Sequence, residues 1–311
     1  MTLLSTSDFE DLLGRRARQV EELLRTLLDD KPRDGEITRP AKLLAAMRHG
    51  VLNGGKRLRP FLVLESAKLF GPDGAEAVTV GAALECVHCY SLIHDDLPAM
   101  DDDDLRRGQP TVHRAFDEAS AILAGDSLLT LAFDILTDDT SSRPRDVAAS
   151  ARRRLDLVRG LARAAGVGGM AGGQALDLAA EKATPDEAGI ITLQAMKTGA
   201  LIRFACEAGA IVADASAIDR ERLAEFGSAI GLAFQLADDL LDVTAVPEVM
   251  GKATGKDAAA GKATLVALHG ADWARRQLAG LVEQAHDLLE PYGESGRNLK
   301  SVATFIAERD R

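Results

Sequence analysis

The chain has 311 residues, and its 37 Lys and Arg residues stand against 48 Asp and Glu residues, which gives a formal net charge of −11 at pH 7. Proteins that bind nucleic acid or an anionic membrane surface gain affinity from a basic face, so this balance argues against both kinds of partner. Hydrophobic residues make up 46% of the chain, which is enough for a buried core and excludes a disordered acidic tail.

Helical periodicity predicts an all-α protein. Aromatic residues make up only 4% of the chain, and the apolar residues are mainly Ala and Leu, which favour helices. The predicted helices run from the N-terminal region to about 31 and then over about 39–52, 60–70, 74–97, 116–137, 145–165, 169–180, 185–210, 217–244, 271–290 and 297–309. No loop is long enough for an interdomain linker, so one large domain is predicted over residues 1–311.

The cysteines and the N-terminus predict a soluble, cytoplasmic protein. Three cysteines, an odd number, fit a reducing compartment better than a disulfide scaffold. Cys86 and Cys89 form a CxxC pair, but no second pair stands at zinc spacing, so both are predicted to pack inside a helix. The N-terminus carries acid where a signal peptide needs base. No stretch is expected to reach the ~20 apolar residues of a membrane span, so membrane insertion is not predicted.

The first acidic group follows the predicted helix 74–97. It contains Asp95, Asp96 and the run 101–104, and Arg106 and Arg107 come directly after it. A solvated loop is the simpler interpretation, but the segment upstream is almost entirely apolar, so the acid emerges from an interior helix. Oxygen ligands select Mg²⁺ or Ca²⁺ over zinc. The spacing lacks the glycine and the glutamate of an EF-hand loop.

The second acidic group lies in the predicted helix 217–244. Gln235, Asp238, Asp239 and Asp242 occupy positions i, i+3, i+4 and i+7, which share one helical face. Apolar residues surround them, so the helix is predicted to be largely buried, where carboxylates are costly unless cations or hydrogen bonds compensate them. A polar face on a partly exposed helix is the alternative.

Cationic and glycine-containing segments elsewhere predict phosphate binding. They are GGKRLRP at 54–60, RRG at 106–108, KTG at 197–199, and the lysines Lys252 and Lys262. Each is common on protein surfaces by itself. Mg²⁺, however, is typically bound by a few carboxylates together with the phosphate oxygens of a substrate. The two acidic groups and the cations therefore indicate a site for Mg²⁺ and a phosphate-bearing substrate.

Six segments together resemble the trans-isoprenyl diphosphate synthases, and most of all their bacterial farnesyl diphosphate synthases. They are GGKRLRP at 54–60, DDLPAMDDDDLRRGQPTVH at 95–113, AGDSLL at 125–130, GGQALDL at 172–178, KTG at 197–199 and FQLADDLLD at 234–242. The resemblance implies the all-helical isoprenoid synthase fold, a homodimer, and a central cavity in each subunit with the two aspartate motifs on opposite walls.

The resemblance also implies roles for individual residues. Asp95, Asp101 and Asp238 would be direct ligands of a trinuclear Mg²⁺ cluster, for which Mn²⁺ can substitute, with Asp96, Asp239 and Asp242 in support. Arg106, Lys197, Lys252 and Lys262 would contact the allylic diphosphate, and Lys56, Arg59, His88 and Arg107 the isopentenyl diphosphate. The Thr198 hydroxyl, the Lys197 carbonyl and the Gln235 amide oxygen would stabilise the allylic carbocation. Gln174 and Asp177 would line the site or simply pack.

Tyr90 is the residue implied to set the length of the product. It stands five residues before Asp95, where an aromatic side chain would form the floor of the tail pocket, as in the bacterial farnesyl pattern. The expected reaction therefore condenses dimethylallyl and geranyl diphosphate with isopentenyl diphosphate to give farnesyl diphosphate. The alternatives are a geranyl or geranylgeranyl diphosphate synthase, a terpene cyclase, a catalytically silent partner subunit and an acidic Ca²⁺-binding protein.

Overall fold

The described part of the chain is almost entirely helical. A computed structural model describes residues 3–71, 74–138, 147–183, 185–244 and 264–308. The first helices are α1 (Thr6–Leu27), α2 (Ala41–Val51), α3 (Leu58–Lys68), α4 (Ala75–Asp95), α5 (Val112–Ala115), α6 (Glu118–Thr137) and α7 (Val147–Ala165). They are followed by α8 (Met170–Ala180), α9 (Glu187–Gln194), α10 (Ala200–Val212), α11 (Ala217–Thr244), α12 (Leu265–His269), α13 (Ala271–Leu288) and α14 (Arg297–Glu308). The all-α prediction is confirmed.

Local hydrogen bonds explain several helix boundaries. Asp117 caps α6 by accepting from the Ser120 N–H at 2.7 Å, and Asp186 caps α9 in the same way. α1 ends at Leu27 and not near residue 31, because the chain turns there and the Lys31 N–H donates to the Asp29 carboxylate at 3.1 Å.

Two irregular helical segments and two short strands depart from the predicted pattern. The predicted helix 185–210 is not continuous, because the π-helical segment Ala195–Gly199 separates α9 from α10. A 3₁₀ segment, Glu290–Gly296, precedes α14. The strands β1 (Leu105–Arg106) and β2 (Gln109–Pro110) pair antiparallel, with Leu105 opposite Pro110. Such short strands carry no detectable period-2 alternation, so the sequence pattern did not indicate them.

The chain divides into two compact units. Unit A contains Leu12–Leu64 and Asp73–Val158, and unit B contains Met1–Asp11, Glu65–Pro72 and Arg159–Arg311. In unit A, α4 packs along α6 and α2 packs against both helices. In unit B, α11 is central and packs against α10, α13 and α14. The single domain predicted for residues 1–311 stays a prediction.

Two helices of unit A, α4 and α6, have the length and apolar composition of a membrane span. The expectation that no stretch approaches such a span is therefore wrong in length and composition, because the most apolar 18-residue window of each helix holds at most two charged residues. Of the most apolar window, 61% is buried inside the structure in α4 and 39% in α6. Core helices pass the same test, so the composition is weak evidence for a membrane.

Candidate active site

The first acidic group forms a loop that folds back onto the end of α4. The Asp101 N–H donates to the Asp95 carbonyl at 2.8 Å, and the Asp103 N–H donates to the Asp96 carbonyl at 3.2 Å. Asp95 is half-buried and Asp101 is exposed. The backbone bonds therefore hold the two predicted metal ligands of this group at one end of unit A.

Asp96 and Arg106 form a bidentate ion pair. Arg106 Nε lies 2.7 Å and 2.9 Å from the two carboxylate oxygens of Asp96, and Arg106 Nη2 lies 2.5 Å from Oδ1. Asp96 is only 2% exposed. Burial alone would lower the pKa of Arg106, but the hydrogen bonds and the charge of Asp96 outweigh it and raise that pKa. Both oxygens of Asp96 already accept hydrogen bonds, which fits a supporting role better than direct metal ligation.

A cluster of positive charge surrounds His88 in unit A. The pKa of His88 lies well below its usual value, first because the ring is buried and then because Arg59, Arg107, Arg106 and Arg57 repel its protonated form. The pKa of Arg59 is lowered by burial, with a smaller contribution from the charge of Arg107. Unit A thus brings Arg59, His88 and Arg107 together, as predicted for an anion site. Lys56, the fourth residue of this set, is exposed.

The two glycines of GGKRLRP allow Arg107 to lie against the backbone. Arg107 Nη1 donates to the Gly54 carbonyl. Gly55 has a φ of +118°, and a Cβ there would come within 2.6 Å of Arg107 Nη1. A side chain at position 55 would therefore be strained and would displace the guanidinium.

Arg57 and Glu85 form a buried ion pair that the sequence analysis missed. The Arg57 side chain is 0% exposed, and its Nη1 lies 2.7 Å from Glu85 Oε1. Its Nη2 also donates to the Val51 carbonyl at 2.5 Å. Arg57 has a φ of +50°, the left-handed region that non-glycine residues rarely adopt. The side chain turns inward, away from the role that its motif neighbours suggest. The helical period of α4 places Glu85 on a buried face, but gives no sign of its partner.

Tyr90 is half-buried on α4 beside His94. Their ring centroids lie 5.7 Å apart at an interplanar angle of 76°. Burial raises the pKa of Tyr90, and the negative charge of Asp95 raises it further. The phenol therefore lies within electrostatic reach of the predicted metal ligand. Its role as the floor of a tail pocket stays a prediction.

The second acidic group of unit B is part of a hydrogen-bonded network. Gln235 Nε2 donates to Asp239 Oδ1 at 2.9 Å, and the Thr198 hydroxyl donates to Gln235 Oε1 at 3.1 Å. Gln194 Nε2 donates to the other oxygen, Asp239 Oδ2, at 2.9 Å. Thr198 and Gln235, predicted to act together, are therefore in contact. Gln194 was not predicted, because 45 residues separate it from Asp239.

Lys197 is held close to this network by α8. Lys197 Nζ donates to Asp177 Oδ2. A Cβ at Gly173 would lie 2.1 Å from the Lys197 backbone nitrogen, so α8 can approach the π-helical segment only because residue 173 is glycine. π-helical turns occur frequently at functional sites. Asp177, considered either a site-lining or a packing residue, is a partner of the predicted catalytic lysine. The other such residue, Gln174, has a buried Nε2 that meets no hydrogen-bond partner in the described part of the chain.

The aspartates of the two acidic groups are the kind of ligand that a hard divalent cation prefers. Asp238 is half-buried and Asp242 is exposed on α11. Within residues 3–71, 74–138, 147–183, 185–244 and 264–308, no group of three or more His, Cys, Asp or Glu side chains is arranged to hold a metal by itself. Mg²⁺ usually keeps several waters and binds one or two carboxylates plus substrate phosphates, so an incomplete protein ligand set fits it. Lys252 and Lys262 lie outside the described residues.

Cys86 and Cys89 lie in the interior of α4. Both thiols are free and buried. Burial raises the pKa of Cys89 to about 12, so this thiol stays protonated at neutral pH. The positions are those of packing residues.

Comparison with known proteins agrees with the motifs. Residues 40–302 match the polyprenyl synthetase family. The chain is 45% identical over 278 residues to the farnesyl diphosphate synthase of Escherichia coli (strain K12), covering 86% of this chain and 90% of that protein. It is 40% identical over 302 residues to the farnesyl diphosphate synthase of Geobacillus stearothermophilus, covering 97% and 98%. The crystal structure of an FPP/GFPP synthase from Zymomonas mobilis matches with a TM-score of 0.85 and 43% identity, covering 97% of this chain and 100% of that chain. The chain belongs to the polyprenyl synthetase family.

Proposed function

We propose that the chain is a Mg²⁺-dependent prenyltransferase that makes farnesyl diphosphate. It condenses dimethylallyl diphosphate, and then geranyl diphosphate, with isopentenyl diphosphate and releases diphosphate at each step. One observation carries the proposal: farnesyl diphosphate synthases align with nearly the whole chain at high identity. The aspartates and cations of both motifs are present in the sequence, which argues against a catalytically silent subunit.

The proposed reaction begins when the allylic C–O bond breaks. The bonding electrons leave with the diphosphate, and an allylic carbocation remains. The double bond of isopentenyl diphosphate then forms the new C–C bond, and loss of a proton, proposed to pass to the released diphosphate, restores an allylic double bond. Mg²⁺ would supply positive charge that stabilises the departing oxygens.

The proposed metal ligands come from both aspartate motifs. Asp95, Asp101 and Asp238 are the proposed direct ligands, with Asp96 and Asp242 in support. The backbone bonds that join the Asp101 loop to the end of α4 support this assignment in unit A. Arg106 and Lys197 are the proposed contacts of the allylic diphosphate. Lys252 and Lys262 are further candidates.

The network in unit B supports a role in stabilising the carbocation. An amide oxygen and a hydroxyl oxygen carry partial negative charge, and Gln235 and Thr198 hold theirs next to each other. The carbonyl of Lys197 would add a third dipole of the same sign. Dipoles that are already oriented in this way stabilise the charge that develops during a reaction, because they do not have to reorient when it forms.

The positive cluster in unit A supports binding of isopentenyl diphosphate. Lys56, Arg59, His88 and Arg107 are the proposed ligands. The pKa of His88 is lowered first by burial and then by repulsion from nearby arginines, among them Arg59 and Arg107. A diphosphate group would relieve that repulsion, which favours an anion at this position.

We also propose that the protein is a cytoplasmic homodimer. On α6, Ile122 is 45% exposed and Leu123 is 54% exposed, although the helix as a whole is strongly apolar. A second copy of the chain would cover this face. Leu123→Glu should then yield a monomer by analytical ultracentrifugation. Ile218→Glu, at a position on α11 that is 68% exposed, is the control; a dimer that survives Leu123→Glu contradicts this interface.

The test of the function is direct. Purified protein is incubated with dimethylallyl and isopentenyl diphosphate, with and without Mg²⁺, and the products are resolved by chain length. Farnesyl diphosphate that forms only with Mg²⁺ is the expected result. Mainly ten- or twenty-carbon product would favour a geranyl or geranylgeranyl diphosphate synthase. Calcium binding without any condensation would favour the Ca²⁺-binding alternative and refute the enzyme.

A further inference from the structure

Two amide groups donate hydrogen bonds to Asp239 on α11, one to each of its carboxylate oxygens. Gln235 Nε2 donates to Oδ1 and Gln194 Nε2 donates to Oδ2, each at 2.9 Å. Asp239 is 4% exposed and Gln194 is 5% exposed. A buried carboxylate needs such donors, since an uncompensated charge there would be costly.

The carboxylate decides how the Gln235 amide is oriented. The two ends of an amide have nearly the same shape, so hydrogen-bond partners determine which end faces which way. A carboxylate only accepts hydrogen bonds, so the NH₂ group of Gln235 must face Asp239. Its oxygen then faces Thr198, whose hydroxyl donates to it at 3.1 Å. A flipped amide would set its oxygen against the carboxylate.

Gln194 completes this arrangement from the other side. It is the last residue of α9, directly before the π-helical segment that carries Lys197 and Thr198. Its own amide oxygen is buried and meets no hydrogen-bond partner among the described residues. An unsatisfied buried oxygen costs stability. Gln194 therefore lowers stability through its amide oxygen, and the interaction that compensates is the hydrogen bond from its Nε2 to Asp239.

We infer that Gln194 is a positioning residue that, through Asp239, holds the Gln235 amide with its oxygen towards Thr198 and the cavity that these side chains line. This inference rests on the proposed function, because it assigns the oxygen to stabilising the allylic carbocation. It also separates the roles of the second motif. Asp239 orients Gln235, whereas Asp238 and Asp242 keep their proposed roles at the metal.

The test is a double-mutant cycle on the full chain. Gln194→Met keeps the size of the side chain and removes the donor, and should lower kcat by about 10- to 100-fold while leaving the KM of both substrates close to wild type. Gln194→Glu replaces the donor with an acceptor and should lose at least as much. In a Gln235→Leu background, Gln194→Met should cause no further loss. Unchanged kcat in Gln194→Met, or losses that multiply in the double variant, would overturn the inference.

Asn298→Leu is the matched control. Asn298 Nδ2 donates to the buried carboxylate of Glu65 at 2.7 Å, also within unit B. This variant removes the same kind of bond and should lower the melting temperature by a similar amount, but leave kcat unchanged. A kcat loss equal to that of Gln194→Met would attribute the effect to stability and refute the positioning role.

A readout that does not depend on catalysis separates this inference from the proposed function. The side-chain NH₂ of Gln235 can be followed by NMR in the selectively labelled chain. Its hydrogen exchange should be slow in the wild type and faster in Gln194→Met, whereas exchange that does not change overturns the inference. If the wild-type chain condenses no substrates, the proposed function fails, and this measurement still decides whether Gln194 orients Gln235.

Discussion

The Tyr90 ring packs edge-on against the His94 imidazole, with the centroids 5.7 Å apart. His94 is itself fixed, because its Nε2 lies 3.1 Å from the Ile122 carbonyl oxygen on α6. The Tyr90 ring thus packs against a side chain that is itself hydrogen-bonded to a neighbouring helix. A supported ring can act as a rigid barrier to a growing hydrocarbon chain.

Tyr90→Ala is expected to lengthen the product. Removal of the ring opens space on α4 where the floor of the tail pocket is proposed, so twenty-carbon or longer products should appear beside farnesyl diphosphate. Chromatography of the dephosphorylated products measures the change. Tyr292→Ala is the control, since this tyrosine belongs to unit B and bonds Asp219 at 2.8 Å. An unchanged product distribution in Tyr90→Ala would mean that another residue forms the floor.

Arg106→Gln is expected to destabilise the protein by about 3 kcal/mol, because it leaves the buried Asp96 carboxylate without its cation. Urea denaturation measures the free energy of unfolding. Arg275→Gln breaks an exposed pair with Asp272 and should cost less than about 1 kcal/mol. Equal losses in the two variants would show that the Asp96 pair contributes no more than a surface contact.

Glu85→Gln is expected to impair binding of isopentenyl diphosphate. The charge of Glu85 offsets the effect of burial on both Arg57 and Arg59. Without it, the inward-facing Arg57 keeps only the less buried Glu21, at 3.2 Å, as a carboxylate partner and repels the surrounding cations more strongly. The KM for isopentenyl diphosphate should rise several-fold more than the KM for the allylic substrate. A parallel change in both KM values would contradict a local effect on this cluster.

His88 should make the protein less stable in mild acid. Its pKa in the folded state lies below the usual value, chiefly through burial and then through nearby arginines. Between the lowered pKa and about 6.5, the unfolded chain binds more protons than the folded one, so stability falls as the pH drops through this window. His88→Gln should flatten the dependence of melting temperature on pH below about 6.5. A slope that persists unchanged would assign it to other groups.

Removal of metal is expected to stop condensation without unfolding the chain. The described residues contain no preassembled metal-binding group, so metal is not expected to hold the fold together as it does in zinc fingers. EDTA should abolish product formation and leave the far-UV circular dichroism spectrum unchanged. Mg²⁺ together with inorganic diphosphate should raise the melting temperature more than either alone. Loss of helical signal in EDTA would contradict this.

Local patterns predicted the helices and the side chains that share one helix. Gln235 and Asp239 lie four residues apart, so their placement on one face follows from helical geometry, and their hydrogen bond agrees with it. The glycines of GGKRLRP were part of the predicted phosphate-binding pattern, and Gly55 leaves room for the Arg107 guanidinium. In each case the residues that carry the pattern lie within a few positions of one another in the chain.

Partners that are distant in sequence could not be predicted. Gln194 and Asp239 are 45 residues apart, and Arg57 and Glu85 are 28 residues apart. Such pairs depend on how helices pack, which a single sequence does not encode in any period. Arg57 shows the limit most clearly, because it stands between two predicted ligands in one motif and yet points into the core.

Because of the π-helical segment Ala195–Gly199, the number of residues between α9 and α10 cannot change without altering which side chains face α11. Its hydrogen bonds close over one residue more than those of an α-helix. Deletion of a single residue there would restore a regular helix, and each residue of an α-helix turns the chain by about 100°. Gln194 and Thr198 would then no longer both face the Gln235–Asp239 pair on α11, so this stretch should tolerate substitutions at positions other than Lys197 and Thr198 better than insertions or deletions.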